Sequence, residues 1–525
     1  SCTLRIRSNG VGATARQVSN TIMNVQNNTV KKLLEKYREI ALLNEIISTL
    51  HWDLNVNLPR KGSEQRSHQI TYLTSLITDK WIDPEIKFLL DECNSIEKLT
   101  QEEKAIVRNL NRAAKFYFQV PKKLILEQSE ITSRAFVIWS EAKVNNDFKS
   151  FEPILSKIVD LTRSVADYLG YKENPYDALL DLYEPDLTAA QCRTIFEKVQ
   201  PSLTQLLQKV IKSKSYNKAN PLLDSQKEYA LDLQKKLCDF ISTKLHYSYD
   251  EGRLDISSHP FTTTLGRHDV RITTRYDRHD FKEALYSTIH EIGHALYELG
   301  IDKHYSGTPL EGGVSLGIHE SQSRFWENQV GRSREFVSYI EPILSTLFQT
   351  EFQNVDQDMI LRYVNDVRQS YIRTEADEVT YGLHIILRFQ IENDLMNKKI
   401  QTKNLPEVWN VMMKKYIGVV PPTDREGVLQ DVHWSMGSIG YFPTYLLGNL
   451  YAAQFTASMK KKISFEKTIA KGDLLPILNW LRTNVHTHGS MLFPKDLIKQ
   501  VTGEALNADY YLEYLQKKYS TIYNL

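Results

Sequence analysis

Cysteine is scarce in this chain: Cys2, Cys93, Cys192 and Cys238 are the only four in 525 residues, with no C-x-x-C pair. That excludes a disulfide framework and a cysteine zinc ribbon, and it suits a reduced intracellular compartment. Net charge is lacking too. Against 65 basic residues stand 64 acidic ones, formally +1, so no electrostatic footprint points to nucleic acid; Lys460-Lys461-Lys462 reads as a solvated helix face. Apolar runs long enough for a membrane are missing: the best, Ile439 to Phe455, is interrupted by Gly440, Pro443 and Gly448. No fixed-period repeat stands out. Length alone suggests about three domains, yet no Gly/Ser- or Pro-rich linker divides residues 29–525, which are read as one domain. Acidic residues are absent before Glu35, while Arg5, Arg7 and Arg16 lie among Ser and Thr. Residues 1–28 are read as a flexible tail, with a transit-peptide remnant as the alternative. The location is read as cytoplasmic, with an organelle as the alternative.

What is present is helix. The composition, 42% hydrophobic and 25% charged, is that of a globular chain with a large core. Leu33, Tyr37, Ile40, Ala41, Ile46 and Leu50 form one apolar stripe. Thr100-x-x-Glu103 is a capping box ahead of Ile106, Val107, Leu110, Ala113 and Ala114. Further helices are expected near Pro121, Ser150, Thr188 and Pro221, and Tyr176 to Pro185 reads as packing. The pattern changes between Arg253 and Tyr276, where Thr262 to Leu265 and Val270 to Tyr276 are β-branched and roughly alternating. A small antiparallel sheet is expected there, either a structural hairpin or an edge that pairs with an extended peptide.

The strongest signal follows at once. In Asp280 to Gly300, apolar Phe281, Ala284, Leu285, Ile289, Ile292 and Leu296 recur at helical spacing, with Asp280 and Glu283 as a capping box and Gly300 as the stop. Inside lies His290-Glu291-x-x-His294. Residues i and i+4 share a helix face, so both imidazoles can reach one zinc ion, and Glu291 can take a proton from water. Glu320, 26 positions past His294 on a second helical pattern, ranks first as third ligand. His319 and Glu311 are its rivals, with His319 assigned to packing or to support of a ligand. Two histidines and a carboxylate leave a coordination position open, which marks a catalytic site.

Later segments offer supporting groups. Arg373 and Asp377 stand at i and i+4, so they either pair with each other or divide the work, Asp377 orienting a ligand histidine and Arg373 reaching the cleft. Gly427 to Trp434 and Gly440 to Tyr445 set Gln430, Asp431 and His433 among aromatics, where polar groups are costly to bury.

Taken together, His259-Pro260-Phe261, Asp269-x-Arg271-x-Thr273, His290-Glu291-x-x-His294, His319-Glu320-Ser321-Gln322, Ile372-Arg373-x-x-Ala376-Asp377 and Gly427-x-x-Gln430-Asp431-x-His433-Trp434 resemble, in order, the motifs of the carboxypeptidase Taq family of zinc metallocarboxypeptidases. The stretch Trp52-Asp53 to Pro59 matches in part, with Leu-Asn-Val-Asn-Leu replacing a more acidic run. The resemblance implies a mainly α-helical, saddle-like, zincin-type subunit with a deep central groove, and a homodimer. It also implies release of single residues from peptide C-termini with broad tolerance, on Zn²⁺ with Co²⁺ as a substitute. On that basis His290, His294 and Glu320 are the metal ligands and Glu291 the general base. His433 and Tyr441 serve the oxyanion, Arg271, Arg373 and His259 bind substrate, and Asp377 supports a ligand. An oligo-endopeptidase on the related helical fold, or a scaffold with a vestigial metal site, are the rival readings.

Overall fold

Glu103 shows how the N-terminal helices are tied down. In the computed structural model, which describes Met23 and residues 25–525, Glu103 Oε2 accepts from the Thr100 N–H at 2.9 Å and Thr100 Oγ1 from the Glu103 N–H at 3.1 Å, the expected capping box. Glu103 Oε1 also accepts from the N–H groups of Gln26 and Asn27, and Asn27 caps the first helix, Asn28–Val56. The folded body therefore begins ahead of Thr29, and Met23 is already buried; the rest of the expected tail lies outside the described residues. Leu33 and Ile40 of the predicted stripe are buried, but Ile46 is 48% exposed, because it falls off the face that packs.

Among the described residues the elements are helices and one three-stranded sheet. Two apolar cores form. A smaller one joins the first helix to the helices between Ile77 and Ala114, and a large one runs from Val120 to Tyr523. No helix among the described residues is long and apolar enough to cross a membrane.

The sheet comprises β1 (Leu254–Ile256), β2 (Thr262–Gly266) and β3 (Asp269–Thr274), in the order β1-β3-β2. β2 and β3 form the expected antiparallel hairpin, with Thr263 opposite Arg271, whereas β1 pairs parallel to β3. The sheet is thus mixed rather than antiparallel. The chain reverses between β1 and β2 and again between β2 and β3, so β1 must run the same way as β3. β2 remains an edge, and its first residue points toward the next helix.

That helix spans Phe281–Gly300. All six of its predicted apolar positions are at most 1% exposed. Asp280 caps it by accepting from the Lys282 N–H at 2.8 Å. Glu283 does not complete the expected capping box; it is drawn instead to the Arg275 guanidinium.

Candidate active site

Glycines set the spacing of the site. A Cβ at Gly293, inside the His-Glu-x-x-His turn, would stand 2.6 Å from the Ser323 Cα, and one at Gly448 would stand 2.5 Å from Glu320 Cγ. The helix Leu316–Arg324 is therefore pressed between the helices Phe281–Gly300 and Pro443–Lys460 at backbone distance. The buried Glu184 carboxylate holds its start, accepting from the Gly317 N–H and the Tyr451 hydroxyl at 3.0 Å each.

This packing brings the predicted triad together. Glu320 Oε2 lies 3.6 Å from His290 Nε2 and 3.5 Å from His294 Nε2, and the three ligand atoms fall within 4.8 Å of one another. Bonds of about 2.0–2.2 Å in a tetrahedral arrangement need ligand atoms roughly 3.3–3.6 Å apart. The residues fit a divalent ion.

The outer nitrogens explain why both Nε2 atoms face inward. His290 Nδ1 is 2.9 Å from Glu327 Oε2. His294 Nδ1 is 2.6 Å from His319 Nδ1, whose ring in turn sets Nε2 2.7 Å from Glu298 Oε1. A proton on each outer Nδ1 leaves each Nε2 lone pair free for a metal. Burial, foremost, holds the His294 imidazole down at about 4, in its neutral form. Arg324 spans Glu320 Oε1 at 2.7 Å and Glu327 Oε2 at 3.0 Å, and Arg332 reaches Glu327 Oε1 at 3.0 Å. Against the cost of burial, these cations keep both carboxylates well below the usual range. The Glu327 segment, Phe325–Gly331, is π-helical, a wider turn often found at functional sites.

Glu291 is buried to 6% exposure, and the Thr262 hydroxyl of β2 sits 2.6 Å from its Oε2. Burial, partly offset by His290, raises its carboxyl above the ordinary value, which suits a proton acceptor that must also give the proton back.

A second group of predicted residues gathers around Arg373. It lies in a short turn, Arg373–Glu375, rather than in a helix, so the expected i, i+4 partnership with Asp377 does not form. Its Nε pairs with Asp431 Oδ1 at 3.0 Å, its Nη1 faces the Tyr381 hydroxyl at 3.3 Å, and it lies over the Tyr445 ring at 5.0 Å. Asp377 is a correction. Its carboxylate caps the helix Glu378–Met396 by accepting from Val379 and Thr380, and it orients no ligand histidine. Glu327 and His319 fill that role. Glu311 is likewise no ligand, being occupied by Ser306 and the Gly307 N–H.

His433 Nε2 lies 3.2 Å from the Tyr445 hydroxyl, and its ring neighbours Tyr441 at 5.4 Å. Burial and the Arg373 charge push its imidazole down to about 3, so it is neutral. Tyr441 packs on Tyr445 at 5.2 Å; burial and the nearby Glu320 charge push its phenol up to about 12. Arg271 is gripped at both ends by Asp269, 2.7 Å on each side, and lies 4.4 Å over the Trp52 ring. His259 is exposed on the loop between β1 and β2. Sequence reasoning missed Glu327, Arg324, Tyr381 and Tyr445. Glu320, Arg324 and Glu327 stand at i, i+4 and i+7, one helix face, and that signal was available.

Comparison with known proteins agrees with this geometry. The family model described as carboxypeptidase Taq (M32) metallopeptidase matches residues 32–519. The chain belongs to this family. It is a metallocarboxypeptidase, and a metal ion is part of its chemistry. It is 44% identical over 496 residues to thermostable carboxypeptidase 1 of Pyrococcus furiosus, covering 94% of this chain and 99% of that one. To carboxypeptidase 1 of Bacillus subtilis it is 38% identical, covering 94% and 99%. Its fold superposes on a Pyrococcus furiosus carboxypeptidase structure with a TM-score of 0.91 at 44% identity, covering 94% and 99%. For Trypanosoma cruzi metallocarboxypeptidase 1 the TM-score is 0.90 at 34% identity, with the same coverage.

Proposed function

We propose that this metallocarboxypeptidase is zinc-dependent and removes single residues from peptide C-termini with broad side-chain tolerance. The observation that carries the reading is the convergence of His290, His294 and Glu320 at ligand spacing, with Glu291 buried beside them and a cationic group around Arg373 nearby. A divalent cation in an open site of this kind acidifies water and polarises a carbonyl.

The chain's own residues do the rest. Glu291 takes the proton of the attacking water and delivers it to the departing amine nitrogen, its Oε2 steadied by Thr262. The neutral His433 and the protonated Tyr441 donate hydrogen bonds to the oxygen on which charge develops. Arg373 receives the terminal α-carboxylate, since a guanidinium fork suits a planar carboxylate. Arg271, set on Trp52, closes the far end and limits how much peptide follows the cleaved bond, and His259 contacts the peptide from the β1–β2 loop. The β2 edge pairs with the extended peptide backbone.

The test uses one peptide and its C-terminally amidated twin. The free acid is expected to shorten one residue at a time while the amide resists. Equal cleavage of both would remove the terminal-carboxylate reading and favour an endopeptidase. Metal analysis of the active protein, with stripping and reloading by Zn²⁺ or Co²⁺, tests the metal.

A further inference from the structure

The stretch that carries His433 and Tyr441 is anchored at both ends by one carboxylate that no step above uses. Glu392, on the helix Glu378–Met396, is fully buried. Its Oε1 accepts from the Trp434 indole N–H at 2.8 Å, and its Oε2 accepts from the Gly440 N–H at 3.0 Å and from the Tyr176 hydroxyl at 2.6 Å. Trp434 directly follows His433, and Gly440 directly precedes Tyr441. No lysine or arginine among the described residues lies at ion-pair distance from it, although Arg388 is one turn away on the same helix.

A buried carboxylate without a paired cation is expensive, and here burial pushes its proton affinity up to about 7. All three of its protein partners are donors, so an amide in its place would set one N–H against a donor. The site left for Gly440 is equally restricted. Its φ is +97°, and a Cβ there would lie 3.0 Å from the Leu179 backbone. The carboxylate thus joins Tyr176 to both ends of the 434–440 stretch at one point.

We propose that Glu392 is a positioning residue for hydrolysis: by clamping Trp434 and Gly440 it fixes the separation and aim of His433 and Tyr441. This rests on the role given to His433 and Tyr441 above. A catalytic group displaced by about 1 Å can cost on the order of 100-fold in rate, so loosening the clamp acts on turnover rather than on the metal.

The experiment measures kcat, KM and bound metal for Glu392→Gln, for Trp434→Phe, which removes one donor at the clamp, and for Tyr176→Phe, which removes the donor outside the 434–440 stretch. Glu392→Gln is expected to lose roughly 10- to 100-fold in kcat with metal content and KM nearly unchanged. Trp434→Phe should follow in the same direction and serves as the probe if Glu392→Gln does not fold. Tyr176→Phe should lower thermal stability with kcat within about twofold. A cycle with a His433→Phe/Tyr441→Phe background is decisive: Glu392→Gln should cost little more there, because the groups it aims are gone. If the same fold-loss persists in that background, or if both Glu392→Gln and Trp434→Phe turn over at the wild-type rate while His433→Phe and Tyr441→Phe are impaired, the inference is overturned and the oxyanion assignment stands. If His433→Phe and Tyr441→Phe are themselves fully active, the oxyanion assignment falls, and this inference with it.

Discussion

On the metal side of the site, four buried or half-buried carboxylates, Glu291, Glu298, Glu320 and Glu327, face two guanidiniums, Arg324 and Arg332. Counted with His290 and His294 neutral, as metal ligation requires, that cluster carries two negative charges in excess. On the other side, Arg373 and Arg388 share a single carboxylate, Asp431, at 3.0 and 2.6 Å, so among these ion-paired groups one positive charge is in excess. The first imbalance equals the charge of a divalent cation and the second that of one α-carboxylate. Buried net charge is costly unless matched, so each side gains from a counter-ion: a metal on the first and, in the function proposed above, the peptide's α-carboxylate on the second. The two groups are joined through Tyr381, which lies under Arg324 at 4.4 Å and faces Arg373.

The sharpest way to break that comparison is to alter a metal-side charge that does not ligate. Glu291→Gln is expected to keep the metal and lose about 10²- to 10⁴-fold in kcat, the usual contribution of a general base. Metal content by mass spectrometry and turnover on the same sample decide it, and near wild-type turnover would refute the assignment. Next in size is Arg373→Met on the opposite side. Loss of a charge-assisted fork should cost about 100-fold in kcat/KM on free-acid peptides and hardly touch the slow residual turnover of the amidated twin. An equal loss on both would show that Arg373 only supports Asp431. A smaller effect is expected for Glu327→Gln, which frees the His290 ring and removes one of the two excess negative charges. Metal affinity should fall about 10- to 100-fold, with kcat recovered in excess metal; competition with a chelator measures it.

These residues were unequally legible in the sequence. His290, Glu291, His294 and Glu320 could be read because each sits in a regular helix, where spacing fixes the face. Asp377 was misread because the helical rule was applied across a boundary: Arg373 belongs to a tight turn, and Asp377 is the cap of the helix that follows. Ile46 was misassigned for a related reason, since the first helix buries only part of its stripe. Partners such as Asp431 for Arg388 or Glu184 for Gly317 are joined by tertiary packing alone. No local period announces them.

The smallest effect concerns the histidines behind both sides. Burial holds His433 on the substrate side and His486 behind the metal side, where its Nε2 meets Gln322 Oε1 at 2.9 Å, down at about 3. An unfolded histidine takes up its proton near 6.5, so between pH 6.5 and 3 the unfolded chain binds more protons and stability falls with pH. Asp431, held well below the ordinary carboxylate range by Arg388 and Arg373 against the cost of burial, adds to this loss below about pH 4. Glu184 and Glu392, pushed up to about 7 by burial, and Asp377, pushed up to about 6 by burial, act oppositely, because the native state keeps protons that the unfolded chain releases above about pH 4. The two sets offset each other from about pH 4 to 6.5, and below that the histidines and Asp431 dominate. The melting temperature should therefore change little across that window and drop steeply beneath it. In His486→Gln one source of the acid loss is gone, so its deficit in melting temperature relative to wild type should narrow from pH 7 to pH 4. A deficit that stays constant with pH would mean that His486 titrates alike in both states, and that burial behind the metal side does not keep it neutral.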